Sequence, residues 1–157
     1  MIQGLFYFLA SLPVVYAVAV SWNIVIEFLR SKGFDIDLPV QDAILLLQET
    51  ENPFAFFGML LLAVVVAPVV EENVFRAGIY RFLKGKIPMV LALLMSGCIF
   101  GLVHGNLLSL PGLIAVGVCL GVSYELSGSL RVAIFFHAFF NLNSVVLFLI
   151  MPDGLVG

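Results

Sequence analysis

The sequence predicts an all-α protein, a polytopic transmembrane bundle of about five helices. Three observations carry this reading. Of 157 residues, 62% are hydrophobic and 11% charged, far from the balance of a soluble globular domain. The apolar residues fall into runs near the ~20 residues that cross a bilayer, too long for the strands of a barrel. Inside hydrocarbon every backbone polar group needs an internal partner, and for runs of this length only the α-helix supplies one.

The first run covers about residues 5–29, and the absence of Lys or Arg before Arg30, together with the lack of a small-residue cleavage site, predicts a retained helix rather than a leader. A polar stretch follows from Arg30 to Pro53, with Asp35, Asp37, Asp42, Glu49 and Glu51 around the apolar patch Ile44-Leu45-Leu46-Leu47. It reads as an interfacial segment or a surface loop. The remaining spans are expected at about 54–80, 88–107, 111–126 and 131–151, the second long and the fourth short. Pro13 and Pro68 are expected to kink their helices. No repeat or composition shift divides the chain, so residues 1–157 read as a single integral membrane domain.

Charge excludes some functions and suggests an orientation. The net charge is −3 and the seven basic residues are dispersed, which is no footprint for nucleic acid. Arg81, Lys84 and Lys86 crowd the turn between the second and third spans, and Arg131 opens the fifth. By the positive-inside rule this predicts an N-in, C-out protein of the cell membrane, with Arg30 and Lys32 as minor exceptions. Cys98 and Cys119 lie in apolar runs without metal or disulfide spacing and are expected to be small buried hydrophobes.

Three polar clusters interrupt the oil: Glu71-Glu72-Asn73-Val74-Phe75-Arg76, Phe100-Gly101-Leu102-Val103-His104 and His137-Ala138-Phe139-Phe140-Asn141. Ionisable side chains at membrane depth are expensive and mark chemistry or transport. With a turn centred near Ile87, Glu71 stands sixteen residues before it and His104 seventeen after it, so a helical hairpin brings them level. At ~1.5 Å per residue they lie about 25 Å from the tip, while His137 and Asn141 lie about 9–15 Å beyond Arg131. All three clusters can share one depth, open to the cytoplasm. Within clusters, Glu72 with Arg76, Phe100 with His104 and His137 with Asn141 are four apart and share helix faces. Glu71 is turned about 100° from Glu72 and faces elsewhere.

Each cluster also has a plainer reading. Glu71, Glu72 and Arg76 could end the second span, and His104, or His137 with Asn141, could tie helices together by hydrogen bonds. Asn106 reads as the end of the third span, and Glu125 as a partner for Arg131 across a short turn. Zinc held by Glu71 or Glu72, His104 and His137 would follow the three-ligand pattern of catalytic sites, although no H-E-x-x-H signature is present.

The ordered set E-E-x-x-x-R, F-x-x-x-H and H-x-x-x-N on successive hydrophobic helices resembles the CPBP, or Abi, family of intramembrane endopeptidases, which includes the CAAX prenyl protease 2 type. The resemblance covers about residues 54–150. It implies a peptidase without a cofactor in which Glu71 is the general base on a water, helped by His104. His137 and Asn141 would hold the oxyanion, with Glu72 and Arg76 in support. The implied partners are a peptide or protein substrate, lipid-modified or not, and membrane lipids. Two rival functions share the sequence features: a catalytically silent immunity or peptide-binding protein of the same fold, and a proton-coupled transporter, which the lack of repeat symmetry disfavours.

Overall fold

The computed structural model describes residues 1–36 and 50–150. The described residues form five helices and no strand: α1 (Ile2–Ser31), α2 (Pro53–Lys84), α3 (Met89–Val103), α4 (Leu110–Ser127) and α5 (Leu130–Ile150). Asp37, Asp42, Glu49, the patch Ile44 to Leu47 and Met151, the last residue of the fifth expected span, lie outside the described residues.

Four of the helices, all but α3, are long and apolar enough to cross a membrane. The side chains are distributed as a lipid solvent requires, with Phe54, Phe57, Val70, Leu91 and Ile150 exposed while Glu72, Arg76, Ser96 and His137 are buried. The core collects Phe8, Val15, Phe75, Phe100, Val116, Leu120 and Phe136. The chain is an integral membrane protein.

The short helix is the third, not the fourth. Its 15 residues span about 22 Å, less than the ~30 Å hydrocarbon thickness. The expected span of 88–107 stops early because Gly105 turns left-handed at φ +63° while the His104 N–H folds back onto the Gly101 carbonyl. Asn106 then accepts from the Ser109 N–H at 2.8 Å and opens α4, which has Pro111 in its first turn. Helices α3 and α4 meet through glycines: a Cβ at Gly97 would lie 2.6 Å from Val118 Cγ2, and one at Gly117 would lie 3.0 Å from the Gly97 Cα. Small residues let the two backbones approach and gain dispersion contacts where no hydrophobic drive exists.

Helix α2 carries the most unusual backbone. The six α-helical residues Ala67–Glu72 lie between two π-helical segments, Leu62–Val66 and Asn73–Tyr80. Asn52 caps the start by accepting from the Phe54 N–H at 2.9 Å, with Pro53 at the first helical position.

Two sequence expectations are corrected here. Glu125 pairs not with Arg131 but with α2, accepting from Tyr80 Oη at 2.7 Å and from Lys84, because two successive reversals of the chain leave α4 parallel to α2 with their ends side by side. Cys98 is exposed and Cys119 half-buried; the glycine face of α3 turns to α4 and leaves Cys98 on the outer side.

Candidate active site

Helix α2 does not end at its carboxylates. It runs on to Lys84, and Glu72 and Arg76 are fully buried, which removes the reading of these residues as a helix terminus. One turn apart on α2, they form an ion pair, Arg76 Nε donating to Glu72 Oε2 at 2.8 Å. Phe100 and Phe75 flank the guanidinium, with ring centroids 5.3 and 5.9 Å from Cζ. Arg76 Nη1 also reaches Ser96 Oγ at 3.5 Å.

The other oxygen of Glu72 makes a contact that spacing alone does not reveal. His137, arriving on α5, donates from Nδ1 to Glu72 Oε1 at 2.9 Å. Its Nε2 then points to Glu71 Oε2 at 3.8 Å. His104 approaches from the end of α3, donating from Nδ1 to the Phe100 carbonyl at 2.6 Å. A carbonyl can only accept, so Nδ1 carries a proton, and in the neutral ring Nε2 presents a lone pair. That Nε2 also stands 3.8 Å from Glu71 Oε2. The Phe100 ring supports both imidazoles, with centroids 4.6 Å from His104 and 5.6 Å from His137.

One carboxylate oxygen thus faces two imidazole nitrogens at equal distance. The separation exceeds the 2.7–3.2 Å of a direct hydrogen bond. Glu71 Oε2 is buried and has no hydrogen-bond partner among the described residues. Glu71 and His104 side chains are 28% and 24% exposed, whereas His137 is 3%, so the first two form the accessible edge. The cluster lies at the far end of α3 from the basic turn, and Tyr80, Phe100 and Leu120, all buried, fill the space toward that turn.

Asn141 sits one turn along α5 from His137, with Nδ2 donating to the Ala63 carbonyl of α2 at 2.8 Å. One of its two amide hydrogens is thereby engaged. Asn143 bonds Tyr16 Oη at 3.1 Å, away from the cluster. Among the described residues no group of three or more His, Cys, Asp or Glu side chains is placed to hold a metal ion. Sequence reasoning missed Ser96, the Phe100 carbonyl and Ala63. Only Ser96 left a signal, standing two turns before His104 on the same face.

Comparison with known proteins points the same way. The family described as Type II CAAX prenyl endopeptidase Rce1-like matches residues 53–143, which include every residue of the three clusters. A protein of Bacillus subtilis (strain 168) named "Putative membrane peptidase YdiL" is 33% identical over 107 residues, 64% of this chain and 44% of that protein. The chain thus matches less than half the length of this curated relative. No solved structure matches it. With more than half of its length and all three motifs inside the match, the chain belongs to the CAAX protease, or CPBP, family.

Proposed function

We propose that the chain is an intramembrane peptidase that hydrolyses a peptide bond with a water activated by Glu71. One observation carries the reading: two imidazole Nε2 atoms stand 3.8 Å from a single carboxylate oxygen that has no hydrogen-bond partner among the described residues. The attacking water is held at the accessible edge formed by Glu71 and His104, hydrogen-bonded to the carboxylate and to His104 Nε2. Glu71 takes a proton from that water as its oxygen attacks the scissile carbonyl carbon. It returns the proton to the amine nitrogen as the C–N bond breaks.

The two histidines differ because their Nδ1 partners differ. His104 leans on a neutral carbonyl and accepts from the water. His137 leans on the Glu72 carboxylate, which offsets positive charge on the ring as Nε2–H donates to the developing oxyanion. The second amide hydrogen of Asn141 completes the oxyanion cradle. Glu72 and Arg76 position His137. The substrate is a peptide or protein segment, with or without a lipid group, that reaches the site past the end of α3.

Protein purified in detergent and incubated in H2(18)O with synthetic peptides bearing an apolar segment is expected to yield products whose new carboxyl termini carry one heavy oxygen, read by mass spectrometry. The yield is expected to survive 1,10-phenanthroline. Loss on chelation with recovery on added zinc would replace the glutamate mechanism by a metal one, and absence of labelled products would count against hydrolysis.

We further propose that the basic end, with Arg81, Lys84, Lys86 and Arg131, faces the cytoplasm. In a background with Cys98 and Cys119 changed to Ser, a membrane-impermeant maleimide added to intact cells is expected to label Lys32→Cys and to spare Lys86→Cys. The reverse pattern would invert the assignment.

A further inference from the structure

The bond between Asn141 and Ala63 has an origin in the backbone of α2. In the π segment Leu62–Val66, the Ala67 N–H reaches back five residues to the Leu62 carbonyl. In α register the same N–H would have answered Ala63. The residue five beyond Ala63, which would answer it in π register, is Pro68, and proline has no N–H. The π turn and the proline together strip the Ala63 carbonyl of both its helical donors. Within a membrane protein an unanswered carbonyl is costly. Asn141 Nδ2, from a different helix, supplies the donor at 2.8 Å.

The consequence reaches the site through α5. Asn141 is one turn from His137, and His137 bonds Glu72 at 2.9 Å while facing Glu71 at 3.8 Å. Two tie points fix how α5 lies along α2, one at the carboxylates and one at Ala63. We propose that Pro68, Ala63 and Asn141 form a register lock: Pro68 creates the demand for a donor, Asn141 meets it, and the bond holds His137 at its working distance from Glu71. Asn141 is then a positioning residue as well as an oxyanion donor, and Pro68, which is fully buried, is a positioning residue that no motif marks.

The test is a double-mutant cycle in detergent with thermal unfolding as its first readout, which needs no catalysis. Asn141→Leu keeps the volume and removes the donor; Pro68→Ala returns an N–H to position 68. In the native background Asn141→Leu is expected to lower the unfolding midpoint by about 5 °C, and in the Pro68→Ala background by less than half of that. Equal losses in both backgrounds would overturn the lock. If Asn141→Leu fails to fold with Pro68 present, folding of the double variant supports the proposal, and failure of both defeats it.

The second readout rests on the peptidase reading. Asn141→Leu is expected to lower kcat about tenfold with KM little changed, and part of that loss is expected to return in the Pro68→Ala background. A kcat loss identical in both backgrounds, beside coupled stabilities, would confine the lock to folding and refute its effect on His137. If the peptidase reading itself is wrong, no variant turns over substrate while the stability cycle still decides the lock.

Discussion

Glu71→Gln is expected to reduce turnover by about a thousandfold or more, within the range that a general base contributes, while the unfolding midpoint in detergent stays where it is or rises. The amide has the size of the carboxylate but cannot accept the proton of the attacking water. Its removal costs the fold little, because Glu71 Oε2 has no hydrogen-bond partner among the described residues and the side chain is 28% exposed. His104→Ala is the companion variant, expected to fall less far because it orients the water without taking its proton. Peptide turnover and thermal unfolding measured on the same preparation check the pair. Unimpaired cleavage by Glu71→Gln would end the proposed mechanism, and a collapsed fold would show that Glu71 is structural.

The second large effect falls on stability as well as activity. Glu72→Leu is expected to destabilise the protein by about 3–5 kcal/mol, the cost of breaking a buried pair by removing one partner. Both side chains of the Glu72–Arg76 pair are fully buried, and Arg76 Nη2 has no hydrogen-bond partner among the described residues to take up the lost contact. Glu72 also holds His137, so kcat is expected to fall with the stability. The double variant Glu72→Leu/Arg76→Leu separates the two effects. With neither charge left in the core, stability is expected to return most of the way, since apolar replacement of a whole buried pair is often neutral or better. Activity is expected to stay lost, because His137 no longer has a carboxylate behind it. A double variant as unstable as Glu72→Leu would refute the ion-pair account. One that recovers activity would refute the role of Glu72 in positioning His137.

Much of the site was visible along the chain because helix periodicity is local. The four-residue interval between Glu72 and Arg76 requires a shared face, and the observed bond at 2.8 Å follows from it. The meeting of Glu71 with His104 followed from counting residues either side of the Ile87 turn. The bond from His137 to Glu72 was not legible, because it depends on how α5 crosses α2, a matter of packing between elements 65 residues apart. Nor could the sequence reveal a partner that is backbone. The carbonyls of Phe100 and Ala63 hold His104 and Asn141, and a carbonyl has no letter of its own.

The same distinction explains the corrections. Proximity in sequence pairs Glu125 with Arg131, but its partners in space are Tyr80 and Lys84. The third span was drawn too long because its apolar letters continue past His104, whereas the left-handed turn at Gly105 stops the helix.

By itself the sequence determined the all-helical membrane class, the five helices of the described residues and the three polar clusters, because apolar run length and 3.6-residue periodicity are properties of a single segment in its solvent. The tertiary structure decided which nitrogen of each histidine faces Glu71, which oxygen of Glu72 is shared, and why Asn141 is needed beside a proline-disturbed turn. Those outcomes depend on distances of a few ångströms between separate helices, and only packing sets them.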